Sequence, residues 1–221
     1  MRYLVVLYLF TSLDTVSLSA QTHRFSPGFM IKQNGDTLNG LFYWRKYAES
    51  YDSLYYKPSA DSPEQAMAWP AVQYAARTGK DEVYIQTMKR ILDYLDPNTF
   101  NIRMKDSSRV ETIPLTPIFK GKVLTLYLFR GDADFYFISD SSGKAVQLIQ
   151  TYRYLTPREQ MFYLTQVPKY MINYEYRNQL MMYYNFDSDR KMADLLERTL
   201  YQEVSLKTLV KKMDSKLVSV R

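Results

Sequence analysis

The sequence predicts an α+β protein, in which a small antiparallel β module, either a sandwich or a partly open barrel, carries a C-terminal helical subdomain packed on it. Two observations support this fold class. Short apolar runs separated by turn residues continue to about residue 150, and apolar residues at helical spacing replace them afterwards. Tyrosine is also unusually frequent, with 21 residues, and its ring and hydroxyl suit half-exposed strands.

The first predicted elements are a hairpin and a third strand. Residues 28–33 and 37–44 are β-prone runs on either side of Asn34-Gly35-Asp36. Because Asn and Gly both tolerate positive φ, this arrangement is the strongest short-range signal for a hairpin. Residues 53–57 predict a third strand, which ends before Pro58.

A short helix is predicted after the third strand. Ser62-Pro63-Glu64-Gln65 offers an N-cap, a proline at the first helical position and a glutamine at the third, and the helix would end near Trp69-Pro70. The segment 83–95 mixes helical and strand spacing. The alternation of Val83 and Ile85 favours a strand at its start.

More strands are predicted before residue 150. Residues 99–105 and 110–113 form short strands around Asp106-Ser107-Ser108. Residues 123–129 and 135–138 form the clearest pair, because a polar five-residue turn separates two apolar runs.

Four helices are predicted beyond residue 150. Thr156-Pro157-Arg158-Glu159 is a capping box that opens the first helix, which must end before Pro168. The second helix occupies residues 174–184, Asp187-Ser188-Asp189 starts the third and Ser205 caps the fourth. The apolar faces of the last two helices are Met192, Leu195, Leu196, Thr199 and Leu200, and Leu206, Leu209, Val210, Met213 and Leu217.

Residues 1–20 have the three parts of a secretory signal peptide. Arg2 precedes an apolar run from Tyr3 to Phe10, and Ala20 is a small residue at the expected cleavage site before Gln21. The apolar run is much shorter than the ~20 residues that span a bilayer, so cleavage is favoured over an uncleaved anchor.

The expected organisation is therefore a signal peptide at 1–20, a β-rich domain at 21–150 and a helical C-terminal subdomain at 151–221. The mature chain would be secreted or periplasmic, with no transmembrane segment. No later apolar run approaches membrane-spanning length.

Composition excludes several classes of function. Without cysteine, the chain has no disulfide, no thiol nucleophile and no lipid attachment through a thiol. A net charge of +6 is too mild to predict nucleic-acid binding. The single histidine, His23, follows the expected cleavage site and suits neither a Ser-His-Asp triad nor zinc. No phosphate-binding glycine motif occurs. We therefore predict no catalytic residue, no cofactor and no metal site.

Two segments carry a resemblance to a known family. Residues 28–41 contain Ile31-Lys32 followed by Asn34-Gly35-Asp36-Thr37-Leu38, and residues 119–127 read Phe-Lys-Gly-Lys-Val-Leu-Thr-Leu-Tyr. With the helical tail, they resemble an uncharacterised family of secreted proteins common in Bacteroidetes. The shared residues are turn glycines and alternating strand residues. The resemblance implies a bacterial extracytoplasmic location and no catalytic signature.

Three features keep other functions open. Asp132, Asp134 and Asp140 surround one predicted hairpin and could bind calcium or act as paired carboxylates, although aspartate is also an ordinary turn residue. Arg130-Gly131-Asp132 spells an integrin-binding tripeptide at a hairpin tip, although such short matches arise by chance. The tyrosines could form a stacking platform for sugars or bases.

Lysines flank the apolar stripe of the last helix on both sides. They could bind an anionic membrane surface, but we favour a packed helix whose edges are covered by lysine methylene groups. These residues are Lys207, Lys211, Lys212 and Lys216.

The sequence favours a non-catalytic interaction or envelope-associated structural module that binds through a tyrosine-rich, basic surface. Its partner would be a cell-envelope component, a protein or a glycan. The alternative is a carbohydrate-active protein that binds glycans or hydrolyses them with two carboxylates. Exposed aromatic residues, including Trp44 and Trp69, without a deep cleft would favour binding, whereas a pocket with two acids and a perturbed pKa would favour an enzyme.

Overall fold

The computed structural model describes residues 24–44, 53–92, 94–95, 102–103, 108–162 and 170–220. Over these ranges the protein is α+β, which confirms the predicted class. An open antiparallel sheet of ten strands is followed by a small helical region near the C-terminus. None of the helices in the described ranges is long and apolar enough to span a membrane.

Most strands precede residue 150. The first six are β1 Ser26–Lys32, β2 Thr37–Tyr43, β3 Ser53–Lys57, β4 Gln65–Ala68, β5 Val72–Arg77 and β6 Glu82–Ile91. The next six are β7 Tyr94–Leu95, β8 Ile102–Arg103, β9 Ser108–Lys120, β10 Thr125–Arg130, β11 Asp134–Ser139 and β12 Val146–Gln147. The large sheet has the order β12-β11-β10-β9-β6-β5-β1-β2-β3-β4, and β7 pairs with β8 separately.

The C-terminal part begins with strands. Its elements are β13 Thr151–Tyr154, α1 Pro157–Gln160, β14 Tyr170–Asn173, α2 Glu175–Met181, α3 Arg190–Arg198 and α4 Glu203–Val220. Because β13 and β14 pair with each other, the change from strands to helices does not fall at residue 151 as expected. The helices that pack together start only after residue 174.

The long strand β9 joins the two halves of the sheet. Its first part pairs with β6, from Ser108 opposite Ile91 to Leu115 opposite Tyr84. Its last residues pair instead with β10, and the register shifts beside Pro117. Proline has no N–H to donate, so it fits a strand best where the ladder is interrupted.

Three clusters of buried side chains form the core. One lies on a single face of the six strands β1–β6, and a second fills the opposite face around β9, β10 and β11. The third lies between β10–β11 and the helices, where Leu206, Leu209, Val210 and Met213 of α4 are fully buried. The apolar stripe of α4 therefore packs on the sheet, as favoured above.

Several predicted elements are confirmed. The hairpin of β1 and β2 turns at Gly35, whose φ is 88°. β3, β6 and the β10–β11 pair also form where they were expected. Thr156 and Glu159 make the predicted capping box, α2 lies within its predicted range, and Asp189 caps α3.

Other predictions are wrong. The helix expected from Ser62 is the strand β4, followed by a 3₁₀ turn at Trp69–Ala71, because pairing with β3 outweighs the local capping signal. Ser205 lies inside α4, which begins at Glu203. Leu200 is exposed and does not belong to the apolar face of α3.

Some predicted positions were only partly located. β8 is the part of the 99–105 strand that the structure describes, and the turn residues Asp106 and Ser107 lie outside the described residues. β9 is longer than the predicted 110–113 strand at both ends. The predicted signal peptide at 1–20 and His23 also lie outside the described residues.

Candidate functional site

The three aspartates near the β10–β11 hairpin do not converge on a site. Asp140 accepts the backbone N–H of Ser142 at 2.9 Å, as an ordinary turn residue does. Asp134 lies 3.6 Å from the guanidinium of Arg130, and burial raises its pKa despite this cation. Over the described part of the chain, no three His, Asp or Glu side chains are grouped to hold a metal ion.

The Arg-Gly-Asp tripeptide is not displayed as a free loop. Arg130 donates to the carboxylate of Glu203, at the start of α4, at 2.8 Å. This ion pair holds the arginine against the helix, whereas Asp132 at the hairpin tip is exposed. The geometry therefore gives an adhesive role no support.

The aromatic residues are mostly packed against one another. Phe29, Tyr74, Tyr84 and Tyr127 form a row across the sheet, with centroids 5.6, 4.9 and 5.8 Å apart. Their planes are inclined by 45°, 65° and 73°, so ring edges meet ring faces. A platform of coplanar exposed rings is absent from this row, and the hypothesis of sugar or base stacking gains no support from it.

Both tryptophans of the chain line a cleft between the sheet and the first turns of α4. Trp44 is 4% exposed and Trp69 is 3% exposed, so neither projects from the surface, and the exposed tryptophans expected of a binding surface are not found. The cleft has a volume of about 500 Å³, which is in the ~300–1,000 Å³ range of small-molecule sites. Its charged lining consists of Lys80, Asp81, Glu82, Lys120, Arg130, Glu203 and Lys207.

Each carboxylate in the cleft already has a cationic partner. Arg77 donates to both oxygens of Asp81 at 2.7 Å, and its guanidinium lies 4.2 Å from the Trp44 ring centroid. Lys120 donates to Glu82 at 2.8 Å. Arg130 donates to Glu203, and both residues line the cleft.

Glu82 is the centre of a polar cluster at the cleft wall. Tyr74 donates to one of its carboxylate oxygens at 2.6 Å, while Lys120 donates to the other. Burial raises the pKa of Glu82, but the hydrogen bonds from Lys120 and Tyr74 outweigh it and hold the pKa below its usual range. The same contact with Glu82 raises the pKa of Lys120. Glu82 is therefore ionised at neutral pH and unsuited to donate a proton.

Two lysines of the cleft have no carboxylate partner among the described residues. Lys80, on the turn between β5 and β6, donates only to the hydroxyl of Ser26, at 2.6 Å. Lys207 projects from the second turn of α4 and is exposed. These two ammonium groups give the cleft a surplus of positive charge.

The indole N–H of Trp69 is a further polar group without a partner. Its nitrogen is buried and meets no acceptor in the described part of the structure. Because an unpaired buried donor costs about 1–3 kcal/mol, such a group in a native structure calls for an explanation. Trp69 belongs to the cleft lining, but its indole nitrogen is itself buried and not open to the cleft.

The position of α4 depends on Asp214. Its carboxylate accepts three backbone N–H groups from the turn after β9, from Lys122 at 3.0 Å, Val123 at 2.7 Å and Leu124 at 2.8 Å. Burial raises the pKa of Asp214, but these donors outweigh it and the pKa lies below its usual range. A Cβ on Gly121 would overlap the same carboxyl group. This contact holds α4, and with it Glu203 and Lys207, against the sheet.

The sequence pointed to only part of this cleft. The sequence marks Trp44, Trp69, Arg130 and Lys207 as candidates, but it does not indicate that they are neighbours. The charged residues that reasoning from sequence missed are Lys80, Asp81, Glu82, Lys120 and Glu203. Nothing local marks them, because the cleft joins segments that are far apart in the chain.

Comparison with known proteins identifies no family for this chain. No protein-family model, no curated protein and no solved structure matches the chain.

Proposed function

We propose that the protein is a non-catalytic binding module whose ligand occupies the cleft between the sheet and α4. The observation that carries this proposal is the composition of the cleft. Two ammonium groups without a carboxylate partner among the described residues, those of Lys80 and Lys207, line a concavity of about 500 Å³. Cations without a counter-charge in such a space favour a ligand that supplies anionic acceptors.

The cleft contains three carboxylates and a perturbed pKa, which is the pattern expected of an enzyme, but the direction of the Glu82 shift favours binding over catalysis. General acid catalysis by a carboxyl group needs a pKa raised towards neutrality, whereas that of Glu82 is lowered. Asp81 and Glu203 are each held by an arginine. A hydrolase with two carboxylates would need one of them to hold a proton.

The location of the module remains a proposal drawn from the sequence. The features of residues 1–20 favour export, and the resemblance to secreted Bacteroidetes proteins favours a bacterial extracytoplasmic site of action. An exported binding module of this kind would act on a cell-envelope component, a protein or a glycan.

A ligand screen tests the proposal. Neutral and acidic glycans, peptides and nucleotides are tested for a rise in melting temperature, and each mixture is then analysed by mass spectrometry. We expect at least one compound to stabilise the protein and to be recovered unchanged. Binding that stabilises only the folded state must raise the melting temperature.

Two matched variants locate the site. Lys207→Trp places a large side chain at the cleft, and Lys211→Trp makes the same change one turn along α4, outside it. The stabilisation should disappear in the first variant and persist in the second. Turnover of any screened compound, or loss of binding only in the second variant, would overturn the proposal.

A further inference from the structure

We propose that the ligand of the cleft is an acidic sugar, a hydroxyl-bearing ring with a carboxylate that Lys80 and Lys207 bind together. This inference rests on the binding function proposed above and adds the chemical class of the ligand. Three properties of the cleft support it: its net charge, its groups that can form hydrogen bonds with ligand hydroxyls, and its apolar lining.

The charge of the cleft selects an anion. Its lining contains four cationic and three anionic side chains, and the carboxylates of Glu82 and Glu203 neutralise Lys120 and Arg130. Asp81 is neutralised by Arg77, which is not part of the lining. Lys80 comes from the sheet side and Lys207 from the helix side, so a carboxylate between them would meet a cation from each wall.

The other polar groups suit hydroxyls. An ionised carboxylate has about four acceptor sites, so Glu203 retains capacity after its ion pair with Arg130. Glu82 retains less, because it accepts from Lys120, Tyr74 and Tyr84. Thr116 adds a half-buried hydroxyl that both donates and accepts. A sugar ring carries several hydroxyls, each of which needs partners of this kind when it leaves water.

The apolar part of the lining suits the C–H face of a sugar. Pro114, Pro117, Val83 and Leu128 lie in the cleft beside the two tryptophans. A simple inorganic anion would make no favourable contact with these apolar side chains. The one arginine of the cleft, Arg130, is occupied by Glu203, which leaves two lysines as point charges instead of a bidentate phosphate site.

Intrinsic fluorescence provides the readout, because the chain has two tryptophans and both line the cleft. Wild-type protein is titrated with a trigalacturonate, with a neutral maltotriose and with inorganic phosphate. We expect saturable change with the trigalacturonate alone, and weaker binding at higher salt because charge interactions are screened.

The variant Lys80→Ala/Lys207→Ala should weaken this binding roughly tenfold or more, since each lost partner is a hydrogen bond to a charged group. Both lysines are exposed, so the variant should melt as wild type does. The control Lys212→Ala, on the other side of α4, should bind as wild type.

The outcomes separate the two proposals. If maltotriose binds as well as trigalacturonate, or phosphate produces the same saturable change, the acidic-sugar inference is wrong, but the cleft remains a binding site. If trigalacturonate produces no change, the inference is wrong and the ligand screen alone decides the proposed function. Equal weakening by Lys212→Ala would also overturn the role of Lys80 and Lys207.

Discussion

Asp214→Asn should destabilise the protein, because Asp214 connects α4 to the turn between β9 and β10. One carboxylate oxygen accepts from Val123 and Leu124, and the other accepts from Lys122. An asparagine oxygen can replace only one of them, and its NH₂ group then faces a backbone N–H that also donates. A hydrogen bond to a charged group contributes about 1.5–3 kcal/mol, and the retained bonds lose their charge assistance. We expect a loss of about 2–4 kcal/mol.

Urea unfolding at neutral pH measures this loss. The matched control is Asp194→Asn, an exposed aspartate of α3, which should change the free energy of unfolding by less than ~0.5 kcal/mol. A value for Asp214→Asn as small as that of the control would show that the three backbone contacts do not hold α4 in place.

The same variant has a pH dependence of known sign. The pKa of Asp214 is lower in the folded state than its value of about 3.9 in the unfolded chain. The unfolded state therefore binds more protons in acid, so the contribution of Asp214 is complete above about pH 4 and is lost as pH falls through the folded pKa. The stability difference between wild type and Asp214→Asn should shrink below pH 4. A difference that stays constant would refute the reasoning.

Three further predictions concern packing and export. Leu209→Ala removes a side chain that is 0% exposed and should cost about 2–5 kcal/mol in thermal or urea unfolding; Lys211→Glu/Lys212→Glu, on the exposed flank, should change stability by only ~0.5 kcal/mol per site or less. Gly121→Ala should lower the melting temperature because its Cβ would overlap Asp214, and Gly121→Ala/Asp214→Ala should not lower it further than Asp214→Ala alone. Intact mass of exported protein should correspond to a chain that begins at Gln21 or within a few residues of it; a full-length chain extracted from membranes would contradict cleavage.

The elements that sequence predicted well are those with local causes. Asn34-Gly35 needs only the positive φ of its own turn, and Thr156 and Glu159 cap a helix through one another. The prediction for Gln65–Ala68 was wrong because the conformation of this segment has a non-local cause. Its local signals indicate a helix, but pairing with β3 along its whole length decides its conformation.

The cleft could not be predicted because its residues meet only in the folded chain. Lys80 and Lys207 come from a strand turn and a helix more than a hundred residues apart. One signal was present in the sequence, however. Asp214 follows Leu206 and Val210 at intervals of four, so it lies on the apolar stripe of α4. A charged residue there predicts a buried partner, although not that the partner is the backbone beside Gly121.

The most direct test of binding at the cleft is the indole N–H spectrum of ¹⁵N-labelled protein. The chain has two tryptophans, and both line the cleft, so two indole signals report on it. We predict that trigalacturonate, or any compound found by the screen, shifts these signals at the concentrations at which it raises the melting temperature. Stabilisation by a ligand that leaves both indole signals in place would contradict the account.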